Sequence, residues 1–151
     1  MLEENLNRER FALLLGILLK FNFLKMRNGK GIICEILPRT MYSKRPKLAN
    51  LTQIILVISM KSPKPDFLLL DKQLAYAEFL KVKPVICINK TDLGKLSTIK
   101  KIHEIYEKIG YTVIDTNAKE NIGIENLKEL LKDEVTAFSG NSGVRKININ
   151  K

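Results

Sequence analysis

The chain has 151 residues, of which 45% are hydrophobic and 28% are charged, and its formal net charge is +10. A chain of this length can form a domain with a buried core, and this composition excludes an intrinsically disordered protein. The positive charge favours an anionic partner such as RNA or a nucleotide, although scattered lysines are also typical of a solvated surface. The absence of tryptophan argues against binding of single-stranded RNA by aromatic stacking.

The cysteines and the single histidine show no metal-binding pattern. Cys34 and Cys87 both lie in apolar, strand-like runs, which predicts two buried free thiols in a reducing cytosol rather than a disulfide. His103 stands alone on a predicted helix, where a surface or core position is more typical than a role as ligand or base. We expect no metal site and no catalytic residue among these side chains.

The N-terminal part of the sequence is apolar but does not resemble a membrane segment. Phe11–Leu24 contains Lys20 and Asn22 and is too short to span a bilayer. The residues before it are rich in glutamate, unlike the start of a signal peptide, so we expect a cytoplasmic protein without membrane contact. One helix over Glu3–Lys20 is predicted here, and because apolar side chains nearly encircle it, another part of the protein must bury it.

Composition divides the chain into three regions. Residues 1–28 are predicted to form an atypical N-terminal segment. Residues 29–50 contain one predicted strand, Gly31–Leu37, which Pro38 stops, and a basic linker at Met41–Asn50. Residues 51–151 alternate strands with helices through short connections, which predicts an α/β domain with a parallel sheet and flanking helices.

The α/β region is predicted to contain four strands and three helices. The strands are Leu51–Ser59, the apolar run Val85–Ile88 entered through Pro84, Tyr111–Asp115 and Val135–Ser139. The helices are Phe67–Val82, Ser97–Ile109 and one containing Ile124, Leu127 and Leu131. Asp66 is placed to cap the first helix and Gly110 to end the second. The residues expected to face inward are Leu70, Leu74, Ala77 and either Phe79 or Leu80, then Ile99, Ile102, Ile105 or Tyr106, and Ile109.

The strand before Asn89 leads directly into a polar motif. Residues 85–93 read Val-Ile-Cys-Ile-Asn-Lys-Thr-Asp-Leu, and such a run is typical of a parallel strand buried on both faces, whose carboxyl end binds ligands. Asn-Lys-x-Asp in that place is the guanine-reading motif of GTP-binding proteins, here Asn89, Lys90, Thr91 and Asp92. Asp92 can accept two hydrogen bonds from guanine that adenine lacks, while the apolar stem of Lys90 can lie over the base. The alternative is an ordinary strand-to-turn exit, where Asn and Asp are common.

Two more loops follow strands of the predicted sheet. Residues 116–119, Thr-Asn-Ala-Lys, correspond to the Ser-Ala-Lys loop of GTP-binding proteins, in which the backbone N–H of the residue at Ala118 contacts the guanine oxygen, and Asn117 replaces the small hydroxyl residue before Ala118 and Lys119. Residues 138–147 resemble a phosphate-binding loop, Gly-x-x-x-x-Gly-Lys-Ser/Thr. Its candidate phosphate-binding residues are Gly140, Asn141, Ser142, Gly143, Val144 and Lys146. Arg145 replaces the second glycine and Ile147 replaces the hydroxyl that ligates Mg²⁺, so a glycine-rich tail without bound phosphate is the alternative.

The order of these motifs is unusual. In ordinary GTPases the phosphate loop precedes the Asn-Lys-x-Asp strand, whereas here it comes last. This order describes a circular permutation and resembles the bacterial family of ribosome small-subunit-dependent GTPases, over about Gly29 to Val144. The other stretches that look like the family pattern are Ile36-Leu37-Pro38-Arg39, Arg45-Pro46, Ala49-Asn50, Leu70-Asp71-Lys72 and Ile109-Gly110-Tyr111.

The resemblance implies a partial P-loop GTPase-like sheet that binds GTP or GDP with Mg²⁺ and hydrolyses GTP. It also implies a monomeric cytoplasmic protein that binds the 30S subunit and its rRNA during late maturation. Family members carry an oligonucleotide-binding barrel, switch regions and a zinc domain, of which only a barrel strand near Gly31–Leu37 is recognisable here. We therefore expect a truncated or frameshifted member without turnover, and the alternatives are a non-catalytic guanine-nucleotide or rRNA-binding module and a degenerate gene product.

Overall fold

The computed structural model describes residues 9–14, 17–22, 32–36, 42–44 and 47–144. The chain divides into two compact units, Met1–Asn50 and Leu51–Lys151. In the first unit, β1 (Glu9–Leu14), β2 (Ile17–Asn22) and β3 (Ile32–Ile36) form an antiparallel sheet in that order. β4 (Tyr42–Lys44) pairs with β5 (Lys47–Ala49) in a second antiparallel sheet.

The prediction of one helix over Glu3–Lys20 is wrong. The segment contributes β1 and β2 instead, which pair with Leu14 opposite Ile17. The sequence signal that this prediction missed is Gly16, because glycine disfavours a helix interior. An apolar segment without a polar stripe is not amphipathic, so its side-chain pattern does not favour a helix over a strand. In the sheet, its backbone groups find hydrogen-bond partners on the neighbouring strands.

Two further predictions for the first unit need correction. The strand predicted at Gly31–Leu37 is present as β3, but it pairs with β2 in a three-stranded sheet and is not the only strand of its region. The basic segment Met41–Asn50, predicted to be a linker, contains the β4–β5 pair, in which Lys44 lies opposite Lys47.

The second unit is built around a four-stranded parallel sheet, which confirms the predicted α/β fold. Its strands lie in the order β8-β7-β6-β9. They are β6 (Gln53–Ser59), β7 (Lys83–Asn89), β8 (Thr112–Thr116) and β9 (Thr136–Gly140), and the helices are α1 (Phe67–Phe79), α2 (Leu96–Lys108) and α3 (Ile124–Leu131). Each element lies where the sequence predicts it, with ends that shift by a few residues.

Alternate residues of the central strands pack on opposite faces of the sheet. On β7, Ile86 and Ile88 join one hydrophobic cluster with residues of α1 and α2, whereas Val85 and Cys87 join a second cluster with Leu127 of α3. The predicted strand with two buried faces is therefore confirmed. Burial of these side chains is the main favourable contribution to the folding of the unit, and it holds the carboxyl ends of the strands in fixed positions.

The inward faces of the first two helices were predicted correctly in part. Leu70, Leu74 and Ala77 are buried on α1, as are Ile99, Ile102 and Tyr106 on α2. Of the alternatives Phe79 and Leu80, Phe79 is 80% exposed and Leu80 is half-buried. The prediction for Ile109 is wrong, since this side chain is 63% exposed. α2 ends at Lys108, so Ile109 lies beyond the helical stripe, and Gly110 follows with a φ of +96°. Among the described residues, no helix is long and apolar enough to cross a membrane.

Cys87 is a free, fully buried thiol, as predicted. Burial raises the pKa of Cys87 to about 11, and its contact with the Thr116 hydroxyl at 3.4 Å only partly offsets this increase. The thiol is therefore protonated near neutral pH and is a poor nucleophile. The side chain of Cys34 lies outside the described part of the chain.

His103 on α2 contacts two carboxylates, Glu107 on the same helix and Asp115 on β8. Its Nδ1 lies 2.8 Å from Glu107 and its Nε2 lies 3.1 Å from Asp115. Because a neutral imidazole has only one N–H donor, both contacts are satisfied only in the imidazolium form. Burial lowers the pKa of His103, but the hydrogen bonds to Glu107 and Asp115 outweigh burial and raise the pKa above its usual value.

We expect this link to stabilise the fold below about pH 6.5, the pKa of an unfolded histidine, and to be lost as the pH rises through the higher pKa of the folded state. The contribution should be about 0.5–1 kcal/mol, because the side chains are partly exposed. Chemical denaturation of the wild type and His103→Gln at pH 6 and pH 9 measures it. The variant should be less stable than the wild type at pH 6 and equal to it at pH 9. A constant difference at both pH values would contradict the ionic origin.

Candidate functional site

The carboxyl ends of the four parallel strands lie at one edge of the sheet. Asn89 at the end of β7 lies opposite Ser59 on β6 and Thr116 on β8, and Gly140 at the end of β9 lies opposite Val57 on β6. The three predicted motifs follow β7, β8 and β9 in the sequence. The parallel topology therefore brings the motifs to the same edge, although they are far apart along the chain.

The Asn89 side chain connects the three motif loops. It is 1% exposed. Its Nδ2 donates a hydrogen bond to the Val144 carbonyl at 3.0 Å, and its Oδ1 accepts from the Lys90 N–H at 2.8 Å and the Ala118 N–H at 3.3 Å. One buried amide thus fixes the loop after β7 to the loop after β8 and to the loop after β9. In this structure the Asn89 amide therefore holds the three loops together.

The Lys90 side chain also connects loops at this edge of the sheet. Its Nζ donates to the carbonyls of Lys61 at 3.1 Å, Ser62 at 2.8 Å and Gly143 at 3.0 Å. Its backbone has a φ of +58°, a conformation that costs energy for a residue with a side chain. The hydrogen bond from its N–H to Asn89 Oδ1 helps to offset that cost.

A surface cleft with a volume of about 340 Å³ lies between the loops after β7 and β8. Five of the six predicted guanine-binding residues line it, together with Lys61, Ser62, Leu93 and Asn117. The sixth, Thr91, donates from its hydroxyl to the Thr116 carbonyl at 3.3 Å and so fixes the turn that carries Asp92. The volume lies within the range of known ligand pockets.

The loop after β8 is held rigidly at its start. Thr116 is fully buried, and its hydroxyl donates to the Ile88 carbonyl at 3.1 Å. Asn117 exchanges two backbone hydrogen bonds with Ile122, at 3.0 and 3.2 Å. Ala118 and Lys119 follow at the mouth of the cleft, and Lys119 is exposed. The predicted loop therefore lies beside the Asn-Lys-x-Asp loop.

The structure describes the start of the predicted phosphate loop, residues Gly140–Val144. A Cβ atom at Gly140 would lie 2.5 Å from the Val57 carbonyl oxygen, so the close approach of β9 to β6 at this point requires glycine. Gly143 has a φ of +85°, and Val144 is buried against the second hydrophobic cluster. The predictions for Arg145, Lys146 and Ile147 lie outside the described residues.

The sequence did not indicate that the loop after β6 belongs to the site. Lys61 and Ser62 line the cleft and supply two of the three carbonyls that bind the Lys90 ammonium group. These contacts use backbone atoms, so the identities of the side chains carry little information about them. The position of the segment could have indicated its role, because it follows a buried parallel strand at the edge of the sheet where ligands bind.

The described residues 50–144 contain no group of three or more His, Cys, Asp or Glu side chains arranged to hold a metal ion. In the phosphate-loop pattern the Mg²⁺ ligand is a hydroxyl side chain, and the sequence has Ile147 at that position. An isoleucine side chain offers no oxygen ligand to Mg²⁺, so the residues present do not supply this ligand.

Comparison with solved structures identifies the fold. The chain is similar to YjeQ from Thermotoga maritima, with 34% identity and a TM-score of 0.74 over 89% of this chain and 50% of that one. It is also similar to YloQ, described as a circularly permuted GTPase, with 31% identity and a TM-score of 0.74 over 94% of this chain and 49% of that one. The motif order and the parallel sheet agree with the permuted arrangement.

Sequence comparison gives the same result. The chain is 43% identical over 117 residues to the small ribosomal subunit biogenesis GTPase RsgA of Caldanaerobacter subterraneus subsp. tengcongensis, covering 78% of this chain and 40% of the relative. The protein of the same name from Alkaliphilus metalliredigens is 38% identical over 141 residues, which are 93% of this chain and 48% of that relative. The chain thus spans less than half the length of these relatives. Because a sequence model of the RsgA GTPase family also matches residues 36–150, the chain belongs to the RsgA GTPase family.

Proposed function

We propose that the second unit binds a guanine nucleotide, GTP or GDP, in the cleft at the carboxyl edge of its sheet. The observation that carries this proposal is the Asn89 side chain, which joins the loops after β7, β8 and β9. A buried amide that forms hydrogen bonds with three separate loops fixes their relative positions in the absence of a ligand. Such preorganisation is what a nucleotide site needs, because it lowers the entropic cost of binding.

Asp92 gives the proposed site its preference for guanine. The carboxylate lines the cleft on an exposed turn, and it can accept from the ring N–H and the exocyclic amine of guanine. Adenine lacks that pair of donors, so its binding would leave the carboxylate without partners. Lys90 lines the cleft as well, and its methylene stem would offer an apolar surface to the face of the base.

The phosphates are proposed to lie near Gly140–Val144. This segment meets the base-binding loops through Asn89 Nδ2 and Lys90 Nζ, which bind the carbonyls of Val144 and Gly143. Backbone N–H groups of a glycine-containing turn can bind phosphate oxygens. Lys146 would add a positive charge, whereas Arg145 and Ile147 depart from the pattern that binds phosphate and Mg²⁺ closely.

We propose that the chain shares the role in biogenesis of the small ribosomal subunit that its relatives' names state, with the 30S subunit and rRNA as partners in the cytoplasm and the chain acting as a monomer. A net charge of +10 suits binding to RNA. The second candidate function is a non-catalytic binding module that recognises guanine nucleotides without hydrolysing them. The replacements at positions 145 and 147 favour it, because hydrolysis depends on the phosphate cradle and Mg²⁺.

The substitution Asp92→Asn tests guanine recognition. We expect the affinity for GDP to fall about 10- to 100-fold, because a charged pair of hydrogen bonds is lost, while the weak affinity for ADP stays unchanged. Competition of GDP and ADP against fluorescently labelled GDP measures both. Glu120→Gln is a matched control, since it removes an exposed carboxylate from the adjacent loop that does not line the cleft. Equal wild-type affinities for GDP and ADP would disprove the proposal.

A further inference from the structure

The solvent-facing side of α1 carries apolar and aromatic side chains. Five exposed residues recur three or four positions apart along the helix, so they share one face of it. They are Leu68, Lys72, Ala75, Tyr76 and Phe79, and we call them the outer stripe. The buried residues of α1 lie on the opposite face. Because a surface helix normally carries polar residues on its outer face, the outer stripe is a candidate contact surface.

Tyr76 and Phe79 form an aromatic pair within the outer stripe. Their ring centroids lie 6.4 Å apart and their planes differ by 21°. Phe79 is the more exposed of the two, and Tyr76 is 44% exposed. The absence of tryptophan argued against base stacking, but the helix brings these two rings together on its surface. Exposed aromatic rings of this kind offer a face on which an unpaired base can stack.

The two carboxylates of α1 lie away from the outer stripe. Asp71 Oδ1 accepts a hydrogen bond from the Tyr106 hydroxyl of α2 at 2.7 Å. Burial raises the pKa of Tyr111, and the neighbouring Glu78 carboxylate raises it further, so Glu78 lies beside the residue that precedes β8. Both acids are therefore on the side of α1 that faces α2 and β8, and neither would repel an anion on the outer stripe.

The charges at the outer stripe are positive. Lys72 lies one helical turn before Tyr76, on the same face of α1. Lys81 is exposed and follows Phe79 by two residues, and its N–H donates to the Glu78 carbonyl at 2.9 Å, which keeps it close to the end of the helix. An aromatic pair between two lysines combines the two features that bind single-stranded nucleic acid, a stacking surface and positive charge beside it.

We propose that the outer stripe of α1 binds single-stranded RNA, with an unpaired base stacked on Phe79 and the neighbouring phosphates bound by Lys72 and Lys81. The inference rests on the proposed RNA partner and goes beyond it, because it names the contact surface and selects unpaired over helical RNA. In a duplex the bases stack on one another, so their faces are closed to an aromatic side chain. No outer-stripe residue lines the guanine cleft, so RNA and nucleotide occupy separate places.

Fluorescence anisotropy of a labelled oligouridine of about 12 nucleotides tests the proposal, beside an abasic strand of the same length. The 151-residue chain should bind the oligouridine more tightly, because the abasic strand keeps the phosphates but has no bases. Phe79→Ala should weaken binding of the oligouridine about 5- to 10-fold and leave binding of the abasic strand unchanged. Phe79→Tyr keeps a ring and should bind both strands as the wild type does.

Two further measurements separate stacking from charge. Lys72→Gln should weaken both strands and lower the slope of log affinity against log salt by about 0.7, the value for one phosphate contact on a single strand. Annealing the oligouridine to oligoadenosine should remove the effect of Phe79→Ala, because the duplex closes the faces of the bases. Leu96→Ala is the matched control, since it removes an exposed apolar side chain from α2, outside the outer stripe.

Urea denaturation should give the wild-type midpoint for each variant, because every substituted side chain is exposed. If Phe79→Ala binds the oligouridine as tightly as the wild type does, the outer stripe serves another partner, such as a protein, and the inference is overturned while the RNA partner stands. Equal wild-type affinity for the oligouridine and the abasic strand would overturn it as well. Failure of the wild type to bind any RNA would overturn the proposed RNA partner and this inference together, without affecting guanine recognition.

Discussion

Asn89→Ala is expected to abolish nucleotide binding and to lower the free energy of unfolding by about 2–4 kcal/mol. The side chain is almost fully buried and bonds to the backbones of Lys90, Ala118 and Val144. Truncation would leave the buried Val144 carbonyl and the partly buried N–H groups of Lys90 and Ala118 without this partner. It would also free the loops after β8 and β9 from the loop after β7, so the cleft would lose its preformed shape.

Urea denaturation and binding of labelled GDP measure the two effects. Ser59→Ala is the matched control, because Ser59 lies opposite Asn89 on β6 and is equally buried, but its hydroxyl bonds only to the backbone of Lys61. The control should lose about 1 kcal/mol and still bind GDP. Retention of wild-type affinity by Asn89→Ala would show that the three loops hold their positions without this side chain.

Steady-state hydrolysis of GTP by the 151-residue chain is expected to stay at background, even with 30S subunits and Mg²⁺. Phosphoryl transfer relies on a phosphate cradle and a metal ion that neutralises developing charge, and defects there reduce rates on the order of 10³-fold or more. Arg145 and Ile147 stand where the phosphate-loop pattern has a glycine and a hydroxyl ligand for Mg²⁺.

Phosphate release under multiple-turnover conditions measures this rate. The relative from Caldanaerobacter subterraneus subsp. tengcongensis, which is named a GTPase, is the positive control in the same assay. Phosphate release by the chain that disappears in Asp92→Ala would contradict the prediction, because activity that depends on the guanine site cannot come from a contaminating enzyme.

Periodicity predicted the second unit well because its strands are buried on both faces. The apolar run 85–88 has no polar face to match a helix, and it alternates between the two clusters as a central parallel strand must. Helix boundaries were less predictable, as Ile109 illustrates. Apolar spacing continued past Lys108, but the backbone left the helix there. The helix prediction for the N-terminal segment failed for a related reason. Its apolar residues fit either a helix or a strand, and the pairing of β2 with β3, which the local sequence does not show, favours the strand.

The candidate site was predictable at the level of loops and less so at the level of atoms. Parallel strands end at a common edge, so the motifs after β7, β8 and β9 had to meet there. The sequence could not show that the Lys90 ammonium binds the carbonyls of Lys61 and Ser62, because carbonyls are present at every residue. The sequence also could not show that Asn117 Oδ1 accepts from the Lys119 N–H while Nδ2 has no partner among the described residues, because these contacts depend on the conformation of the loop.

The order of the strands also has a consequence for how the domain folds. β6, β7 and β8 are joined by successive helices and can pair as each is synthesised, whereas β9 must pair with β6 across 83 residues, with Thr136 opposite Gln53. Contacts of such sequence separation form late and slowly. The loops proposed to bind the base therefore emerge from the ribosome and fold first, and the loop proposed to bind the phosphates is added when β9 docks. Nucleotide affinity would then develop only in the last stage of folding, which makes GDP binding a direct kinetic marker for completion of the sheet.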